Sequence, residues 1–164
     1  MSKPRKKSVP NYKREIVIDT NLLLLLIIGS VEDGKFISSS KRLKKFSVDD
    51  YHLLLKAIKI FGEGYTTKYI AAEVSNLIDL DSYAQEKAFE IARAMFGTFK
   101  EINSDLNNDL SHRYFSEYGL TDSKLIELAS THLIFTDDER LSPLLWGSGM
   151  DNVYSLEMIR ALAS

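Results

Sequence analysis

The chain contains no cysteine, and only three prolines and one tryptophan among its 164 residues. Without cysteine there is no disulfide framework, no thiolate zinc site and no cysteine nucleophile, and the composition suits a reducing cytoplasm. Long apolar runs are missing too. The longest, Leu22 to Ile28, stops at Gly29, far short of the ~20 residues that span a bilayer, so no membrane association is expected. Asp19 and Asn21 interrupt the apolar stretch that follows the basic start, so a secretory signal is not expected. Nor is there a large excess of charge of one sign, the formal net charge being -2. With 45% hydrophobic and 27% charged residues, the chain reads as one ordinary globular domain able to bury a substantial core.

What charge there is falls unevenly. Lys3, Arg5, Lys6, Lys7, Lys13 and Arg14 crowd the start, and residues 1–14, which include Pro4 and Pro10, read as a flexible basic arm ahead of a domain over residues 15–164. A second basic group, Lys35, Lys41, Arg42, Lys44 and Lys45, lies in a serine-rich loop or partly helical insertion between Ser30 and Lys45. The acids gather later, among them Asp79, Asp105, Asp109, Asp122, Asp137, Asp138 and Glu139. Separate zones of this kind suit a protein that holds a polyanion with one and divalent cations with the other. Taken singly, each charge run is also what an ordinary solvated surface carries.

Glu15-Ile16-Val17-Ile18 is a β-branched run that ends abruptly in Asp19-Thr20-Asn21, the pattern of a buried parallel strand delivering polar groups to its C-terminal edge. Leu22 to Ile28 follows as a buried helix with Gly29 as its C-cap. Because it is apolar on all sides, a protein partner or a second copy of the chain is expected to cover it. Ser47 is placed to cap a helix through Phe61, stopped by Gly62 and Gly64. Helices are expected over Tyr69–Ile78, with Glu73 beside its core face, over Ser82–Phe99, and over Asp109–Glu117, closed by Tyr118-Gly119. The next begins near Thr121, a candidate N-cap. Thr131 to Thr136 is a second buried strand that runs into Asp137-Asp138. After it come a short helix at Leu141–Trp146, a turn at Gly147–Gly149, a strand at Val153–Ser155 and a closing helix at Leu156–Leu162. Strands separated by helices predict an α/β fold with a central parallel sheet. His52, His112 and His132 are scattered and read as structural or surface residues.

Each acid alone has an ordinary role: Asp19 as a cap, Asp122 in a first turn, Asp137 or Asp138 opening a turn, Glu73 as a solvated helical glutamate. Together, acids at two strand ends and in two helices can converge on one point of a sheet edge. An oxygen-only donor set without cysteine selects hard cations, Mg²⁺ or Mn²⁺ before zinc. Ile16-Val17-Ile18-Asp19-Thr20-Asn21, Ala72-Glu73-Val74-Ser75-Asn76-Leu77, Gly119-Leu120-Thr121-Asp122 and Ile134-Phe135-Thr136-Asp137-Asp138 resemble, in this order, the motifs of the PIN-domain family of metal-dependent nucleases. The resemblance implies a three-layer α/β/α fold and hydrolysis of RNA phosphodiesters at Asp19, Glu73, Asp122 and Asp138, with Asn21, Thr136 and Asp137 in support. The implied function is a Mg²⁺- or Mn²⁺-dependent ribonuclease, with the toxin of a toxin–antitoxin or defence pair as its narrower form. RNA and an antitoxin or other protein partner are the implied partners. Lys3, Arg5, Lys6, Lys7, Lys41, Arg42, Lys44 and Lys45 are expected to hold the nucleic-acid backbone. The competing readings are a non-catalytic PIN-like module that binds RNA or protein, and a structure-specific DNA nuclease. Four converging carboxylates would also repel one another without metal, so an amide at any of them is expected to stabilise the metal-free protein or leave it unchanged.

Overall fold

A computed structural model of the protein describes residues 14–163. Lys3, Arg5, Lys6, Lys7 and the rest of the expected basic arm lie outside the described residues, except Arg14, which opens the first strand instead of ending the arm. Five strands, β1 (Arg14–Ile18), β2 (Gly62–Thr66), β3 (Lys100–Glu101), β4 (Leu133–Thr136) and β5 (Val153–Ser155), form one sheet in the order β3-β2-β1-β4-β5. Every neighbouring pair is parallel. Helices cover both faces, giving the expected three-layer α/β/α architecture. They are α1 (Thr20–Gly29), α2 (Val48–Phe61), α3 (Lys68–Leu77), α4 (Ser82–Thr98), α5 (Leu106–Leu110), α6 (Phe115–Leu128), α7 (Ser142–Gly149) and α8 (Leu156–Ala163).

The core is built on β1 and α1. Ile16 to Ile18 and Leu22 to Ile28 are almost completely buried, packed among α2, α3, α4 and β4. This corrects the expectation that α1 needs a partner for cover: the chain itself covers every side of it. Gly29 is also not a left-handed cap. It is the last residue of α1, and a Cβ there would lie 2.4 Å from the Tyr51 ring, so glycine is what the packing of α2 on α1 admits. Between α1 and α2 the insertion forms turns and two 3₁₀ segments, Ile37–Ser39 and Lys41–Leu43. Asp79 pins it by accepting from Ser40 Oγ at 2.6 Å and from the Lys41 N–H at 2.9 Å.

Ser47 caps α2 as expected, in a reciprocal box with Asp50. Asp50 does more. Its carboxylate accepts Arg160 Nε at 2.7 Å and Nη2 at 2.8 Å, fastening the start of α2 to α8. Burial alone would raise the Asp50 carboxyl; the Arg160 and Ser47 bonds outweigh it and hold the group below the usual carboxylate range. Asp50→Ala is expected to cost about 2 kcal/mol in urea unfolding, from the lost acceptor of the Ser47 N–H plus the lost charged hydrogen bonds to Arg160. A double-mutant cycle with Arg160→Ala checks that the two losses share one interaction.

Other expectations shift locally. The chain is helical at Leu106–Leu110, capped by Asp105, and turns before α6, so the expected Asp109–Glu117 helix is displaced. Gly119 breaks α6 at φ 81°, and Thr121 lies inside the helix beyond the break, not at its cap. Gly147 to Gly149 belong to α7, not to a turn. Asp109, buried, ties α5 to α3 and α6 through Tyr69 Oη at 2.6 Å and Lys124 Nζ at 3.0 Å. That clamp fixes the half of α6 that carries Asp122.

Candidate metal centre

β1 and β4 are adjacent and parallel, so the residues after Ile18 and Thr136 emerge side by side; the Asp19 N–H donates to the Phe135 carbonyl at 2.9 Å. This is the C-terminal edge, where open parallel sheets place ligands. Asp19 caps α1, its Oδ1 accepting the Leu22 N–H at 2.9 Å. Its Oδ2 accepts both the Thr136 hydroxyl and the Asp137 N–H at 2.7 Å. Burial nevertheless pushes the Asp19 carboxyl up to about 6, against three hydrogen bonds that lower it. The group is therefore a cap and a buried anion short of positive charge.

Asp19, Asn21, Glu73, Asp122 and Asp138 line one cavity of about 110 Å³, with Arg42 and Arg140 also in its wall. Water occupies about 30 Å³ per molecule in the liquid, so this pit has room for an ion with a few waters or one phosphate group, not for a base. Glu73 comes from α3, which Thr67 caps directly at the end of β2. Asp122 comes from α6 just past the Gly119 break. Burial first, then the nearby Asp138 and Glu73 carboxylates, push Asp122 up to about 6.

Arg140 is the residue that the sequence did not single out. Its Nη2 lies 2.7 Å from Asp138 Oδ2 and 3.3 Å from Asp122 Oδ2. Asp138 Oδ1 accepts the Arg140 backbone N–H at 3.0 Å. Burial would raise the Asp138 carboxyl, but the Arg140 guanidinium and the backbone N–H bonds hold it below the usual range. This corrects the expectation of uniform repulsion: an amide at Asp138 gives up an ion pair, whereas an amide at Asp122 gives up a raised carboxylate. Among the described residues no three acidic or histidine side chains stand as a ready metal cage. A guanidinium is between two of the acids. The donor set itself, oxygen only and anionic, fits a hard divalent cation.

The supporting residues divide. Thr136 donates to Asp19 and accepts the Asp138 N–H at 3.1 Å, so it holds both strand-end acids. Asp137 turns away and pairs with Lys45. Asn21, Lys45, Asp138, Arg140 and Arg160 border a second cavity of about 570 Å³, which shares three of its wall residues with the acidic pit. Lys41 and Lys44 are exposed on the same insertion, outside both walls. Arg160, like Arg140, was missed, since a single arginine in a helix carries no pattern. Arg140 did leave one signal: it follows Asp138 by two residues, the spacing at which a turn aspartate accepts a backbone N–H. No family model matches the chain, and neither the curated proteins nor the solved structures give a significant match.

Proposed function

We propose that the protein is a Mg²⁺- or Mn²⁺-dependent ribonuclease of the PIN-domain type. The observation that carries this reading is the convergence of Asp122 Oδ2 and Asp138 Oδ2 on one cationic nitrogen, in a cavity that Asp19 and Glu73 also line. Asp19, Glu73, Asp122 and Asp138 are the residues that would hold the metal. When bound, it lowers the pKa of a water molecule and neutralises charge on phosphate oxygens.

The chain's own residues do the rest. Thr136 fixes the Asp19 carboxylate and the backbone under Asp138. Asn21 sits where both cavities meet, placed to hydrogen-bond a phosphate oxygen. Arg42, Lys45 and Arg160 supply positive charge around the acids, and the larger cavity gives a strand room to run past the pit. No side-chain nucleophile is required.

A second reading has one observation in its favour. If Arg140 stays on the acids permanently, the site is a neutralised, non-catalytic surface that only binds RNA or protein. Incubation with labelled single-stranded RNA and DNA, with Mn²⁺, Mg²⁺ or chelator, separates the readings. Cleavage of RNA in metal and none in chelator is expected. Cleavage of DNA alone transfers the activity to a DNA nuclease, and intact strands in every lane favour the binding module.

A further inference from the structure

We propose that Arg140 exchanges partners: in the metal-free protein it neutralises Asp122 and Asp138, and when a divalent cation takes those carboxylates its guanidinium turns to a phosphate of the nucleic-acid strand. This rests on the metal-binding reading above.

The geometry separates what is fixed from what is free. The Arg140 backbone is anchored by its N–H on Asp138 Oδ1 at 3.0 Å, an oxygen that Nε meets more loosely at 3.3 Å, while the shortest guanidinium contact is Nη2 on Asp138 Oδ2 at 2.7 Å. The head can leave without disturbing the turn. Its side chain is 64% exposed, and exposed ion pairs hold only weakly. A divalent cation competes for the same two oxygens with twice the charge, and cannot share them with a guanidinium without strong repulsion. A released head has two places close by. One is the Tyr118 ring, already 5.8 Å from the guanidinium carbon. The other is the larger cavity, whose wall Arg140 forms with Lys45 and Arg160. A guanidinium's planar fork fits phosphate as well as carboxylate, so a strand entering that cavity gives Arg140 a replacement anion. The cation and the substrate thereby become coupled: each removes the other's competitor.

Arg140→Ala tests this, with circular dichroism confirming the fold. Titration calorimetry with Mn²⁺ is expected to show about fivefold tighter binding in the variant, the size of an exposed ion pair. Anisotropy of a labelled oligouridylate, read before cleavage, is expected to show weaker binding by the variant in Mn²⁺, with a salt slope flatter by about 0.7. In chelator the two proteins should bind it alike. Equal Mn²⁺ affinity in both proteins overturns the exchange and leaves the metal centre standing. RNA affinity lost equally with and without Mn²⁺ also overturns it, since Arg140 would then be an ordinary phosphate contact. Absence of Mn²⁺ binding in both proteins overturns the metal centre, and the exchange with it.

Discussion

Asp19→Asn is expected to abolish Mn²⁺-dependent cleavage of single-stranded RNA, lowering the rate by roughly 10²–10³-fold or more, the loss typical when one element of charge stabilisation is removed. The expectation follows from the position of the group. Asp19 is buried at 6% exposure, lies at the end of the central strand, and is held by neutral donors alone, the Leu22 N–H, the Thr136 hydroxyl and the Asp137 N–H. The amide keeps the shape and keeps the cap, because asparagine caps helices as well as aspartate does. It removes the negative charge a cation needs. It also turns one acceptor into a donor: with the nitrogen in the Oδ2 place the Thr136 hydroxyl must rotate and the Asp137 N–H loses its acceptor, and with the nitrogen in the Oδ1 place the Leu22 N–H does. A modest fall in melting temperature should therefore accompany the loss of activity. Asp137→Asn is the control: that carboxylate pairs with Lys45 outside the acidic pit, and only its backbone touches Asp19. Its rate should stay within a small factor of the unaltered protein. Equal losses in the two variants would sink the assignment, because they would mean the charge of this loop matters and the position of Asp19 does not.

How far the sequence revealed this arrangement depends on the kind of signal each residue leaves. Ile16 to Ile18 and Leu133 to Phe135 are continuous apolar runs cut off by acids, and in a parallel sheet that pattern has one natural outcome, so the strands, their common edge and the meeting of Asp19 with Asp138 were all legible. Glu73 and Asp122 needed only helical periodicity. Glycine was the ambiguous letter. Gly119 uses its freedom at φ 81° to break a helix, which was foreseen. Gly149 ends α7 at a place where a Cβ would strike the Ala129 carbonyl at 2.0 Å, and nothing local in the sequence distinguishes close approach from a turn. The leucines of α1 announced that they would be buried but not by what; only the tertiary structure shows that α2, α3 and α4 do it. Arg140 was illegible for a deeper reason. Its spacing from Asp138 announces only the backbone N–H bond; the side-chain contacts, to that near neighbour and to a residue eighteen positions away, leave no periodicity in a polar stretch.

The metal-free protein is expected to become more stable as pH falls from 7.5 to 5, the reverse of ordinary acid denaturation. Asp19 and Asp122 both have carboxyls pushed up from 3.8 to about 6. A raised carboxyl stabilises the fold fully below its unfolded value and loses that contribution as pH rises through the folded one. These two groups therefore favour folding below about pH 4 and oppose it above about pH 6. For Asp19 the displacement corresponds to about 3 kcal/mol; Asp122 adds less, being partly open to solvent. Asp50, Asp109 and Asp138 act oppositely, their carboxyls being held low, but their contribution is lost only as pH falls beneath the usual carboxylate range. Between pH 7.5 and 5 the first pair dominates. A rise in Tm of about 5–10 °C is expected over that interval for a chain of this size. Asp122→Asn should shrink the rise, and the difference between the two curves removes every other titrating group, the histidines included. Saturating Mn²⁺ should invert the slope, adding about 2.7 kcal/mol at a hundredfold excess over its Kd near neutral pH and less at pH 5, where protons compete for the same oxygens. A metal-free Tm that is flat or falls towards pH 5, with Asp122→Asn tracing the same curve, would show that these carboxylates ionise without penalty. An Asp19 and an Asp122 that cost nothing to charge do not stand in a site that awaits a cation.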